Sequence, residues 1–423
     1  MRHIAVIGAG ITGVTTAYAL AGKGYAVTVF DRQRYAAMET SFANGGQLSA
    51  SNAEVWNHWS TVVKGLAWML KSDAPLLMNP SPNWHKYSWM AEFVGNIRHY
   101  RANTVATTRL AIEARRHLFA MAEKERIDFD LETRGILHFY RDRQGFEHAA
   151  RVNEMLVEGG LDRRPVTPEE IRAIEPALPG DFHGGFFTPS DATGDIHKFT
   201  RGLAKACVRY GVRFVHDAAV ERIEHVDTGV KVVWSGADGT GRASRDEMVA
   251  DGVVICAGVA SRKFAAMVGD RVNIYPVKGY SITVHLDDDA SRAAAPWVSL
   301  LDDKAKIVTS RLGRDRLRVA GTAEFNGENR DIRADRIRPL VDWTRGLFPQ
   351  VDTGRVEPWS GLRPMMPDMM PRVGAGRRPG VFYNTGHGHL GWTLSAATAQ
   401  VVAEKIALAL PADPPVLETR TAA

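Results

Sequence analysis

Gly8-Ala9-Gly10-Ile11-Thr12-Gly13 and Asp31 have the types and spacing to hold a dinucleotide. The first glycine of such a run lets the backbone turn tightly. The second lets it approach a pyrophosphate, and the third lets a helix pack close on a strand. The helix that follows presents free N–H groups and the positive end of its dipole to the phosphates. Asp31, at the end of the next apolar run, can accept the hydroxyls of an adenosine ribose. Glycines also mark ordinary turns, so the fingerprint takes its meaning from its context.

That context is present. His3-Ile4-Ala5-Val6-Ile7 is a short apolar run of the kind buried on both faces of a parallel sheet. Thr12 to Gly22 places Val14, Ala17, Tyr18 and Ala21 on one side of a helix that ends on glycine. Tyr25 to Phe30 reads as the second strand, and Arg32 to Ser51 as a polar, glycine-containing loop. Residues 55–100 hold Trp56, Trp59, Trp68, Trp84 and Trp89, half of all the tryptophans. Pro75, Pro80 and Pro82 divide this stretch into two helical pieces around a loop. Leu110, Ala114, Leu118 and Met121 predict a long helix over 103–125, and Gly135 to Tyr140 a strand. Thr167-Pro168-Glu169-Glu170 is a capping box with proline at the first helical position.

The nucleotide-binding fold then resumes. Asp195 caps a helix to about Tyr210, strands follow at 212–215 and 219–223, and a hairpin turns around Ala237-Asp238-Gly239. Asp251 to Cys256 is a buried strand closing on Gly258. Tyr280, Ile282, Val284 and Leu286 alternate with Ser281, Thr283 and His285, which predicts a half-buried antiparallel strand. A hairpin around Gly313-Arg314-Asp315 joins it in a separate sheet over 272–345. Val381 to Asn384 is the last strand and Leu394 to Leu408 the last helix. The expected fold class is α/β: a Rossmann-type domain in three pieces (1–55, 191–270, 351–410) with inserted, largely antiparallel substrate-domain segments at 56–190 and 271–350. A tail occupies 411–423. The interruption favours a flavin enzyme over a nicotinamide dehydrogenase, by analogy of fold.

At 423 residues two domains are expected. The net charge of +5 comes without a long basic run, so nucleic acid is not an expected partner. No run of eighteen apolar residues is present to span a membrane. The first strand starts within three residues of Met1, which leaves no room for a signal peptide and predicts a cytoplasmic protein. Peripheral contact with the inner face of the plasma membrane stays open through the tryptophan-rich segment, whose competing reading is an aromatic lid over the site. Cys207 and Cys256 read as buried apolar thiols. His387 and His389 form an HxH without a third ligand at suitable spacing, so no metal is assigned.

Four spaced motifs carry a family resemblance: Thr40 to Ser49, Tyr275 to Ser281, Trp359 to Asp368, and Asn384 to Thr393. In this order they resemble the bacterial FAD-dependent D-amino acid dehydrogenases (the small-subunit family), and more distantly D-amino acid oxidase and glycine oxidase. The resemblance runs from residue 1 to about 408. It implies FAD as cofactor and oxidative deamination of an amino acid. A hydride passes from Cα to flavin N5, and water converts the imino acid to a 2-oxo acid and ammonia. Electrons then go to a quinone or another acceptor that is not oxygen. The resemblance places Thr40, Ser41, Asn44, Gly45, Gly46, Gln47 and Leu48 along the flavin. It places Gly388, Leu390, Gly391 and Thr393 at its pyrimidine side, with Thr393 near O2. Val220 and Gly258 join Gly8, Gly10, Gly13 and Asp31 in the expected cofactor set. Arg363, in Gly-Leu-Arg-Pro, matches the arginine that pairs with the substrate carboxylate, and a planar guanidinium is suited to a two-point clamp. Tyr280 and His389 are further candidates for substrate contact, and Lys278 for charge adjustment. No catalytic base is assigned, because the amine lone pair expels the hydride. Ala305 stands where relatives carry a tyrosine, which predicts a wider pocket, and Gly45 replaces a commoner alanine. Two alternatives remain at this level: an oxygen-using oxidase of glycine, sarcosine or D-proline-like substrates, and a non-catalytic flavin-binding subunit. Oligomeric state is not legible.

Overall fold

The computed structural model describes residues 1–68, 76–237 and 243–412. A six-stranded sheet runs in the order Arg372–Ala375, Val381–Thr385, Gly252–Ile255, His3–Ile7, Ala26–Phe30, Arg213–Val215. All neighbours are parallel except the edge pair Arg372–Ala375 and Val381–Thr385. The apolar runs arise because both faces are covered. Ile4 and Val6 pack on the helices Ile11–Gly22, Ile196–Arg209 and Gly391–Ala409. Ala5 and Ile7 face the opposite core, shared with the three-stranded sheet Ala219–Val226, Gly229–Ala237, Ala243–Ala250. Successive side chains of one strand thus serve two cores. Asp195 caps its helix by accepting from the His197 and Lys198 amides, and Thr167 makes its capping box with Glu170.

The second sheet has nine strands. Its path is Val356–Met365, Tyr275–His285, Arg316–Phe325, Ile307–Leu312, Ser299–Asp302, Ile136–Tyr140, Gly184–Thr188, Arg164–Val166, with Leu76–Met78 added beside Arg316–Phe325. This corrects the sheet expected over 272–345, which draws strands from residues 76 to 365. The sequence places Val356–Met365 in the nucleotide-binding part at 351–410. It pairs instead along its whole length with Tyr275–His285. Such pairings join residues far apart in the chain and leave no local mark.

Tyr275–His285 also differs from its expectation. It is buried on both faces except at His285. Ile282 and Val284 pack in one core with Leu340 of the helix Ala334–Leu347. The polar alternate face is covered by loop 43–46, as described below. In the tryptophan-rich stretch the two helices are Trp59–Trp68 and Trp84–Gly95, and the connection between them carries the strand Leu76–Met78. Pro75, the hairpin tip at 238–239 and the tail from 413 lie outside the described residues. Among the described residues no helix is long and apolar enough to cross a membrane.

Candidate active site

One cavity of about 1280 Å³ is lined by residues of both sheets. On the first sheet its wall is mostly backbone. Gly8 has φ +106, and a Cβ there would lie 2.7 Å from the Cys256 carbonyl oxygen. A Cβ on Gly13 would lie 1.8 Å from the Gly8 carbonyl oxygen. Gly13 therefore serves helix-on-strand packing and lies off the cavity wall. Gly10 is on the wall, and the nearest atom to a Cβ there would be Ser41 Oγ at 3.4 Å, so its missing side chain leaves space to the cavity. Ser41 Oγ accepts from the Ile11 amide at 3.0 Å and so takes up one free donor of the helix start. Asp31 Oδ2 accepts from the Ala9 amide (2.6 Å) and Oδ1 from the Gln33 amide (2.8 Å), which ties the acid to the glycine turn. Burial nevertheless raises its pKa. A carboxylate has about four acceptor sites, so roughly two remain for a ribose. Val220 and Gly258 also line the cavity.

Loop 43–46 is gripped by its carbonyls. Ser281 Oγ donates to Ala43 O (2.7 Å), Arg318 Nη1 to Asn44 O (2.9 Å) and Ser310 Oγ to Gly45 O (2.7 Å). These donors are the buried polar face of the second sheet, and burial pushes the Arg318 pKa down to about 10. Asn44 Oδ1 accepts from the Gly46 amide (3.0 Å), and Thr40 Oγ1 donates to Leu362 O (2.9 Å). Gln47 Nε2 donates to Ser299 Oγ at 2.7 Å. Thr40 to Gln47, except Phe42 and Ala43, line the cavity, as do Gly388, Leu390 and Gly391. Two expected flavin contacts are not brought to it. Leu48 packs in the core of the first sheet beside Ala192. Thr393 Oγ1 accepts from the Ser49 amide at 3.2 Å and holds the loop from behind.

On the second sheet the wall is made of side chains. Arg363 lines the cavity, and Nη1 donates to Thr322 O at 3.2 Å. Among the described residues no carboxylate pairs with it. Burial alone lowers its pKa to about 10. Arg363 is in register with Val277, and a Cβ on neighbouring Gly279 would come within 2.4 Å of its Cζ. The absent side chain of Gly279 is the room in which the guanidinium lies.

His389 Nε2 lies 3.1 Å from Asn52 O, so that nitrogen carries the proton and Nδ1 is left as an acceptor. Nδ1 is buried without a hydrogen-bond partner among the described residues. The ring is stacked on Trp56 at 4.8 Å between centroids. Burial, aided by the Arg363 charge, lowers its pKa to about 4. Asn52 is fixed in turn, because Asp191 accepts from the Ala50 and Ser51 amides and pairs with Arg115 at 2.8 Å. The other half of the HxH turns elsewhere: His387 Nε2 lies 2.9 Å from Thr398 Oγ1.

Tyr280 borders the cavity, but its ring belongs to the core behind the sheet and its hydroxyl donates to Glu324 at 2.7 Å. Lys278 is fully buried beside the same Glu324 (3.3 Å) and donates to Asn329. Both expected site residues are thus committed to a structural network. The cause is parity: residues 278, 280 and 282 alternate with the cavity-facing side of the strand. Ala305 packs against that rear core and does not widen the cavity. Sequence reasoning missed Thr322, Asn52, Trp56 and the space at Gly279. It also missed Arg163, a buried cavity residue whose Nη2 lies 3.2 Å from His138 Nδ1. Trp56 and Gly279 stood inside segments already singled out; the others carry no local signal.

Comparison with known proteins agrees with this architecture. The family model described as "FAD dependent oxidoreductase" (DAO) matches residues 3–405. D-amino acid dehydrogenase 3 of Mesorhizobium japonicum is 68% identical over 414 residues, covering 98% of this chain and 99% of that protein. D-amino acid dehydrogenase of Paramagnetospirillum magneticum is 43% identical over 415 residues, covering 95% and 94%. Among solved structures, glycine oxidase from Geobacillus kaustophilus superposes with a TM-score of 0.74 at 20% identity, covering 96% of this chain and 95% of that one. L-proline dehydrogenase from P. horikoshii gives 0.72 at 17% identity, covering 96% and 93%. At these identities the structural likeness concerns the fold alone.

Proposed function

This chain belongs to the FAD-dependent oxidoreductase family, and we propose that it oxidises D-amino acids to imino acids, which water converts to 2-oxo acids and ammonia. The observation that carries this reading is the Arg363 guanidinium, buried in the cavity with, among the described residues, a single carbonyl partner and no acid. A buried cation in that state is costly, and a carboxylate ligand relieves it.

The residues fit FAD. Gly10 leaves space at a helix start, Asp31 retains acceptor capacity, and positive-φ glycines at 46, 258 and 388 allow close approach of backbone to a ring. When bound, the flavin supplies the hydride acceptor. The chain's own part is to bind and orient. Arg363 clamps the carboxylate, and His389 offers Nδ1 to an N–H of the amine. With the pKa of His389 depressed, the ring stays neutral and accepts rather than repels. These two anchors fix which face of Cα is presented. Positioning, not a protein base, then supplies the rate. Gly8, Gly10, Asp31, Thr40, Ser41, Asn44, Gly45, Gly46, Gln47, Val220, Gly258, Gly388, Leu390 and Gly391 are assigned to the cofactor, with Gly13, Leu48 and Thr393 supporting them.

The electron acceptor we assign is a membrane quinone, with the chain peripheral on the bilayer. Trp59 and Trp84 are 60% and 85% exposed, and Val63 and Tyr87 are also exposed. They lie on the two helices whose other residues, among them Val62, Trp89 and Phe93, line the cavity. Indoles favour the membrane boundary.

Anaerobic mixing of the FAD-loaded protein with D- and L-amino acids, followed by flavin absorbance, tests the reading. Bleaching by D-amino acids only is the expected result; bleaching by none overturns it. Peroxide formation in air matching the dye-coupled rate would make the protein an oxidase instead.

A further inference from the structure

Thr322 sits where a strand leaves register. Tyr280 pairs with Gly321, but Lys278 pairs with Glu324. Thr322 and Ala323 therefore both stand opposite Gly279, which is a β-bulge. Thr322 takes φ +60, a left-handed conformation that strains a β-branched residue and that glycine would adopt freely. Strain of this kind persists where the surroundings over-determine it, most often at functional sites. Here the bulge aims the Thr322 carbonyl at Arg363, whose guanidinium lies over Gly279. Thr322 also lines the cavity, and its Oγ1 is a buried atom without a hydrogen-bond partner among the described residues. A buried hydroxyl left unpaired needs an explanation.

We propose that Thr322 is a substrate-binding residue whose hydroxyl donates to the carboxylate held by Arg363, and that this contact is the reason a threonine occupies a position built for glycine. The proposal rests on the amino-acid reading above. A carboxylate is an acceptor only, with more sites than one guanidinium can fill. A guanidinium alone leaves the acid free to tilt out of its plane. A hydroxyl on the adjacent bulge supplies one more donor to the carboxylate and adds binding energy present before and during reaction.

The test is Thr322→Val, which keeps shape and branching but loses the donor, in the FAD-loaded enzyme. KM for the best D-amino acid rises about tenfold, with kcat within about twofold, because the contact exists before and during reaction. Binding of a non-oxidisable monocarboxylate, benzoate, read from the flavin spectrum, weakens by the same factor. Thr322→Ser restores both. Thr322→Gly shows the valine-like KM without a lower thermal midpoint, which separates a lost contact from a lost fold. A wild-type KM and benzoate affinity in Thr322→Val overturns the proposal, and so does a serine variant as defective as the valine one. If wild-type enzyme binds benzoate but oxidises no amino acid, the substrate reading fails, and the benzoate comparison still decides the role of Thr322.

Discussion

Around Gly8, Gly10 and Gly258 the cavity wall is backbone; around Arg363, Thr322 and His389 it is side chains. The first region is built from a contiguous turn and the two strands beside it. Its chemistry is the absence of Cβ atoms and the free amides of a helix start. The second is assembled from three strands and two loops. Among the described residues it leaves a buried cation without an acid, a buried imidazole nitrogen without a donor and a buried hydroxyl without an acceptor. A backbone site offers only amides and empty space to its ligand, and at Gly8 and Gly13 it has no room for an added atom. A side-chain site is left incomplete until a ligand arrives, so its residues can be removed with little harm to the fold.

Four ranked variants, with Gly10→Val set beside the first, press on that contrast. The largest effect is expected at Gly13→Ala, whose methyl would meet the Gly8 carbonyl at 1.8 Å. Neither partner is a flexible side chain, so the loss should exceed about 3 kcal/mol, seen as a collapsed thermal midpoint. Gly10→Val is the informative neighbour: it folds but stays colourless. Next is Arg363→Ala, which keeps its flavin and loses roughly three orders of magnitude in kcat/KM, on the scale of about 2–5 kcal/mol for a buried charged contact. Because burial depresses the Arg363 pKa, the folded state disfavours its charge, and the variant's thermal midpoint should not fall. A midpoint drop like that of Gly13→Ala would erase the contrast. Gly279→Ala comes third. It leaves the cofactor alone but pushes the guanidinium aside, at a cost of about 10- to 100-fold in kcat/KM. The smallest is Asp31→Asn, whose side chain replaces only one of the two carboxylate acceptors at the glycine turn and weakens FAD retention by about tenfold, or ~1.4 kcal/mol.

A pH experiment sharpens the same comparison. Burial holds His387 at about 3 and His389 at about 4, below the ordinary 6.5. Between those values the unfolded chain binds protons that the folded chain does not, so stability falls as pH drops from 6.5 towards 4. His387→Asn should flatten that slope in thermal midpoints measured across this range. An unchanged slope would show that His387 does not contribute to it.

Legibility in the sequence followed the range of the interactions. The βαβ unit at 1–31, the capped helices after Thr167 and Asp195 and the hairpin at 307–321 were readable, because each is fixed by neighbours within about ten residues. For Tyr280 and Lys278 the sequence does not show which way the side chain turns. Their residue types suit a binding site, but strand parity turns them to the rear, where Glu324 takes both. Leu48 and Thr393 were near the right place and faced the wrong way. Thr322 could not be found, since nothing in Ala320-Gly321-Thr322-Ala323 announces a bulge or a left-handed threonine.

By itself the sequence determined an α/β chain with an interrupted nucleotide-binding fold, a glycine turn at Gly8–Gly13 and, through four motifs, a family. Those properties depend on backbone freedom and local periodicity, which the residue order carries directly. Only the tertiary structure decided that Val356–Met365 lies beside Tyr275–His285, that Gly279 makes room for Arg363 and that Thr322 stands against it. Each of those facts depends on which strands pair and in what register, and register is set by packing between segments far apart in the chain.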